Sequence, residues 1–206
     1  MDVMELFTKG GPVMYLLLVT SIAVAAIGIE RLRFYSNAGS GSEDFLHNLR
    51  GRLHAQSTQE VLNYCRQEKN CLSEIASAGI QAALSGENVE VALNIAYEEV
   101  AMNLRARLNY LSMIVTLAPL LGLLGTISGM IESFNIFSVQ AGQPLAITGG
   151  IGEALIATAT GLCVAIFALI VHTYFSQKLD EMLTKLDKVN FLVMGTLGRR
   201  QIDETS

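Results

Sequence analysis

The chain has 206 residues, of which 51% are hydrophobic and 16% charged, with a mean hydropathy of +0.41. That balance is too apolar for an ordinary soluble domain of this size and points to membrane spans. A net charge of −5 gives no support to a broad attraction to nucleic acid, and no nucleic-acid motif is present.

In chain order, residues 1–9 form a short lead and residues 10–29 the first charge-free stretch long enough to cross a bilayer, which takes about 20 apolar residues. The opening "MDVMEL" is acidic and "IGIERLRF" lacks a small-residue cleavage site, so this span is expected to be retained rather than cleaved. Residues 30–107 have ordinary polar composition. They are too many for a loop and few for an independent core, which predicts helices packed on one another or on a neighbour. In "GSGSEDFLHNL" a flexible lead precedes a helix start, with Ser42 as N-cap and Asp44 in the first turn. A break is predicted at Ser85–Gly86. Beyond it Leu93, Ala96, Val100, Leu104, Leu108 and Leu111 recur at spacings of three and four without Gly or Pro. One helix is therefore expected to run from the polar region into a second span, 108–136, kinked at Pro119.

From Ser133 to Gln177 the only charged residue is Glu153, and one helix of that length would reach about 68 Å, so the chain must turn. "SVQAGQPLAITGG" supplies the turn, placed at 137–147. The third span, 148–175, continues into a tail, 176–206, where Leu179, Met182, Leu183, Leu186, Val193 and Leu197 mark an apolar stripe that Gly198 is expected to end. Only Lys9 precedes the first span and no Lys or Arg separates the second from the third, whereas Arg31, Arg33, Arg105, Arg107, Lys178 and Lys185 flank span ends on one side. The positive-inside rule makes that side cytoplasmic, with 1–9 and 137–147 periplasmic and 30–107 and 176–206 cytoplasmic. The predicted fold is an all-α integral membrane protein with three transmembrane helices, the second and third extended into the cytoplasm as long helices. Cys65, Cys71 and Cys163 are expected to be free thiols.

Chemistry concentrates in the second and third spans. "PLLGLLGTISGM" puts Gly122, Gly125, Thr126 and Gly129 near one helical face, a pattern for close helix packing. It is not a phosphate loop, since no Lys-Ser/Thr pair follows. The third span carries Gly150, Ala154, Ala157, Thr158, Gly161, Ala165 and Ala168 in a matching stripe, with Glu153 and Thr160 at its edge. A carboxylate near mid-bilayer costs about 2.5–3.5 kcal/mol on insertion scales. Glu153 is then either part of a water-lined ion path, a buried interhelical hydrogen bond, or a hydrated structural residue near the outer boundary. His47, His54, Cys65 and Cys71 do not have zinc-site spacing, because "CRQEKNC" places five residues between its cysteines. No metal or cofactor is expected. An intramembrane hydrolase using Ser128 or Ser133 with His172 is disfavoured, because His172 falls at the opposite end of its span from Ser133, and no enzyme activity is expected.

The two runs "APLLGLLGTISGM" and "GIGEALIATATGL", about 20 residues apart across a short polar loop, resemble the MotA/TolQ/ExbB proton channel family. The first span ending "GIERLRF", the helical insert and the amphipathic tail match a short ExbB- or TolQ-like layout over nearly the whole chain; the four-span MotA layout fits less well. The resemblance implies a bacterial inner-membrane homo-oligomer, a pentamer, enclosing the single spans of an ExbD- or TolR-like dimer whose membrane aspartate carries H+. It implies work at the outer envelope, TonB-dependent uptake first and TolQ-like maintenance as the alternative, with a TonB- or TolA-like protein as a further partner. Carried over by residue, Thr126 in "GLLGT" and Thr158 in "EALIAT" match pore-facing threonines, Glu153 the third-span glutamate, and Pro119 the proline opening the second-span motif. The chain departs from the family pattern at "AIFA", where Phe167 replaces proline, and at His172-Thr173, which replaces a common Tyr-Asn. A passive membrane scaffold is the competing class.

Overall fold

The computed structural model describes residues 11–139 and 144–204, apart from the side chains of 136–139, 144–148, 153 and 198–204. In chain order the helices are α1 (Val13–Ala38), α2 (Ser42–Ala55), α3 (Thr58–Gln67), α4 (Cys71–Ser85), α5 (Val89–Arg105), α6 (Leu108–Val139) and α7 (Pro144–Glu204), and there is no strand among the described residues. The protein is all-α, and α1, α6 and α7 lie in the three stretches long and apolar enough to cross a membrane. Of the loop expected at 137–147, residues 140–143 lie outside the described residues; the backbone is helical up to Val139 and again from Pro144. Contacts divide the chain into two units, one of Met1–Glu30 with Arg107–Phe175, the other of Arg31–Ala106 with Ser176–Ser206.

The second unit is built on local signals. Ser57 and Glu60 close a reciprocal capping box at the start of α3, as Asn70 and Ser73 do for α4, so backbone donors that would otherwise lack partners are satisfied. Asn88 caps α5 by accepting from Val91 N at 3.1 Å. Gly86 ends α4 in the left-handed region, φ 74°, at the break the sequence predicts. Phe45, Leu49, Leu72, Ile75, Ile80, Leu93 and Leu186 are fully buried, the apolar faces of short amphipathic helices turned inward. Gly79 makes their convergence possible: a Cβ there would lie 2.5 Å from Leu93 Cδ2 and 3.0 Å from Val193 Cγ1. At the unit's edge Lys185 bridges to Glu43 at 2.8 Å.

Three local expectations are corrected. Gly41, not Ser42, is the N-cap of α2, with φ 69° and ψ 10°, a left-handed geometry that glycine adopts without steric cost. Ser42 is free to accept from Lys185 Nζ at 3.0 Å instead. The helix expected to run unbroken from Leu93 to Leu111 is interrupted at Ala106–Arg107, where Arg107 has φ 67°. The carbonyls of Asn103 and Leu104, which a continuing helix would pair with the N–H groups of residues 107 and 108, are capped by side chains from α1: Arg31 Nη1 donates to Asn103 O at 3.2 Å and Tyr35 Oη to Leu104 O at 2.8 Å. Finally, α7 runs past Gly198 to Glu204. A glycine inside a helix costs only about 1 kcal/mol, too little to end one by itself.

In the first unit Leu17, Val24 and Leu111 are buried, but where α6 meets α7 the enclosed positions are small, with Ala118, Ala157 and Ala168 fully buried, while Val19, Ile22, Leu120, Leu155, Ile166 and Ile170 face outward. Helices in lipid gain little by burying large aliphatics and much by backbone approach. At the end of its apolar stretch, Glu30 on α1 pairs with Arg107.

Gly79→Val should destabilise the folded protein by about 1–3 kcal/mol through overpacking, whereas Gly51→Ala, with open space around the new Cβ, should be neutral or stabilise by up to about 1 kcal/mol. Thermal unfolding in detergent followed by circular dichroism checks both; equal midpoints would contradict the convergence at Gly79. Burial also pushes the Cys65 thiol up to about 12 and Cys71 up to about 11. Both should be protonated at pH 8; the buried Cys65 should resist maleimide until the protein is denatured and the half-buried Cys71 should label slowly, and rapid native labelling of Cys65 would contradict its enclosure.

Candidate functional site in the seam between α6 and α7

The charge-free faces of α6 and α7 meet along a line of small residues. A Cβ on Gly122 would lie 3.0 Å from Thr158 Cα and 3.1 Å from Ala157 O; on Gly125, 2.5 Å from Ala157 Cβ; on Gly129, 3.3 Å from Ala154 Cβ. From α7, a Cβ on Gly161 would lie 2.7 Å from Ala118 O and 3.0 Å from Gly122 Cα. Positions rise on α6 as their partners fall on α7, so the two helices are antiparallel. Most of these atoms are backbone, which cannot swing aside as a flexible side chain can. α1 adds a third wall, since Val13 lies 3.6 Å from the same hypothetical Cβ on Gly125.

The polar groups along this seam are hydroxyls. Thr158 Oγ1 donates across it to Gly122 O at 3.0 Å. Thr126 is half-buried, and its Oγ1 donates to Leu123 O of its own helix at 2.7 Å. Ser133 is buried against Gly150, where a Cβ would collide with its hydroxyl; that hydroxyl donates to Gly129 O at 2.7 Å. Glu153 stands on α7 one residue before Ala154, which faces Gly129, and its side chain lies outside the described residues. Pro119 sits within α6, which continues through it; its missing N–H leaves the carbonyl of Val115 without its ladder donor. At Phe167 α7 is continuous.

The seam thus brings together Gly122, Gly125, Gly129, Thr158 and Gly161, with Thr126 beside it. Sequence reasoning missed Ala118 and Ser133 as seam residues. The signal was present: 118, 122, 125, 129 and 133 continue one small-residue face of α6 at spacings of three and four. Ser128 and Ser133 both direct their hydroxyls to carbonyls of their own helix, which is not the arrangement of a nucleophile held by a base. Among the described residues no group of three or more His, Cys, Asp or Glu could hold a metal.

The sequence profile of the MotA/TolQ/ExbB proton channel family matches residues 67–188, a stretch that includes the whole seam. An ExbB-like protein of Synechocystis sp. is 33% identical over 198 residues, covering 84% of this chain and 72% of its own length. An ExbB homologue of Methanothermobacter thermautotrophicus is 27% identical over 189 residues, covering 91% and 67%. The Tol-Pal system protein TolQ of Pseudomonas aeruginosa is 39% identical over 157 residues, covering 76% and 62%.

Gly161→Ala should cost roughly 1–3 kcal/mol, because its Cβ would press on the Ala118 and Gly122 backbones and the helices must part. Gly152→Ala, on the same helix with nothing within 4 Å, should not destabilise. Unfolding of the two variants by titrated denaturing detergent compares them, and a Gly161→Ala protein as stable as the unmodified one would contradict the close approach.

Proposed function

We propose that this chain, which belongs to the MotA/TolQ/ExbB proton channel family, is the pore-forming subunit of a bacterial inner-membrane motor driven by proton flow. Five copies surround the spans of a one-span ExbD/TolR-like dimer, and a carboxylate on that partner carries the proton. The observation that carries the reading is the α6–α7 seam: two apolar helix faces held at backbone distance, with Thr158 bonded across it and Glu153 on the same helix. Polar groups inside an apolar span are costly and belong in an assembly interior or along a water-lined path rather than against lipid.

In this reading Thr126, Glu153 and Thr158 line or support the ion route, and Gly122, Gly125, Gly129 and Gly161 set the helix spacing that leaves room for it. The basic residues at span ends support a periplasmic N-terminus and a cytoplasmic C-terminus. Relatives with ExbB names support TonB-type energisation of outer-membrane uptake. The TolQ relative, 39% identical over 157 residues, supports envelope maintenance as the second reading.

The test is proton flux into liposomes holding the subunit with and without its one-span partner, alongside oligomer mass from native mass spectrometry. Flux should require the partner. Glu153→Ala should abolish it or reduce it at least about tenfold, the effect of roughly 1.4 kcal/mol, with the oligomer intact. Glu153→Gln should retain more because it keeps size and hydrogen-bonding capacity. Normal conduction by Glu153→Ala would remove that residue from the route, and absence of flux in every combination would favour a passive scaffold.

A further inference from the structure

We propose that Gly122 is a positioning residue for Thr158: its carbonyl holds the threonine's one hydroxyl proton, so that Oγ1 meets the ion route only as an acceptor of O–H donors. This rests on the reading of the chain as a pore subunit whose partner carries the proton on a carboxyl group.

Thr158 behaves unlike its neighbours. The hydroxyls of Thr20, Thr116, Thr126 and Thr160 each donate to a carbonyl three or four residues back in their own helix, those of Leu17, Met113, Leu123 and Ile156. That is the default for a threonine in an apolar helix. Thr158 instead reaches 36 residues away across the seam to Gly122 O at 3.0 Å. It can do so because neither Gly122 nor Gly161 has a side chain to hold the backbones apart; a Cβ on Gly122 would sit 3.0 Å from Thr158 Cα. The carbonyl has two lone pairs, one for its helix ladder and one for this bond.

A hydroxyl has one proton and two lone pairs. With the proton engaged on Gly122 O, the Oγ1 of this half-buried threonine can accept but not donate. An acceptor-only oxygen stabilises a carboxylic acid, whose O–H it can receive, and offers nothing to a carboxylate. It therefore raises the pKa of a carboxyl group that loads beside it. Few other groups compete in these stretches. The titratable residues are Tyr15 on α1 before Glu30, Tyr110 on α6 before Glu132, and Glu153 and Cys163 on α7 before His172.

The experiment follows the pH dependence of partner-dependent flux in proteoliposomes for the unmodified protein, Thr158→Val and Thr158→Ser, with oligomer mass checked for each. Thr158→Val should move the loading midpoint to lower pH by about 0.5–1 unit, the effect of one lost hydrogen bond, with the oligomer unchanged. Thr158→Ser, which keeps the hydroxyl, should keep the midpoint. Because the acceptor on Gly122 is main chain, no substitution removes it, so infrared spectra of protein labelled with 1-13C-glycine supply the second readout. The amide I band should gain a higher-frequency component in Thr158→Val and not in Thr158→Ser. Reduced flux at an unmoved midpoint would make the hydroxyl a mere tie between helices, and an unaltered glycine band would remove Gly122 from its role. Lack of partner-dependent flux in the unmodified protein would instead overturn the pore reading on which both depend.

Discussion

The approach of two backbones at Gly122 and Gly161 is the constraint from which the rest of the first unit follows. In lipid, a leucine gains little by facing a helix rather than an acyl chain, so association depends on dispersion contacts and hydrogen bonds made at short range. Those contacts require the absence of side chains, which is why Ala118, Gly122, Gly125, Gly129, Ala154, Ala157 and Gly161 line the seam and Leu120, Leu155 and Ile166 do not. Close approach also lets a threonine hydroxyl find a carbonyl on the neighbouring helix. The polar groups along a seam built this way are hydroxyls bonded to main-chain carbonyls.

The second unit obeys the opposite rule. Its short helices α3, α4 and α5 begin at side-chain caps, and Leu, Ile and Phe are buried against one another, burial whose hydrophobic gain offsets chain entropy. α1 and α7 each pass from one unit to the other, and on α7 the buried residues change along the helix, Ala157 and Ala168 in the first unit, Leu186 and Val193 in the second.

The helical class and the three apolar helices were legible because charge-free runs of that length have few other stable solutions. The break at Ala106–Arg107 was not, since the groups that cap α5, Arg31 and Tyr35, come from about seventy residues earlier in the chain and no local signal marks it. That Gly41 rather than Ser42 caps α2 depends on a left-handed backbone geometry that sequence does not display. In the seam, the small-residue spacing was readable on each helix separately. Which residue meets which, and that Thr158 bonds across rather than back along its helix, depends on the relative rise of two helices, a quantity that neither pattern contains.

Everything above depends on α6 and α7 of one chain packing at backbone distance in the working assembly. The most direct measurement is oxidation of a Gly129→Cys/Ala154→Cys variant, since a Cβ on Gly129 would lie 3.3 Å from Ala154 Cβ, close to the roughly 3.5–4.5 Å that a disulfide spans. A high-yield disulfide within single chains is expected, seen by mass spectrometry of peptides from the monomer band, with the oligomer mass unchanged. Failure to form it, or a product linking only separate chains, would contradict the packing.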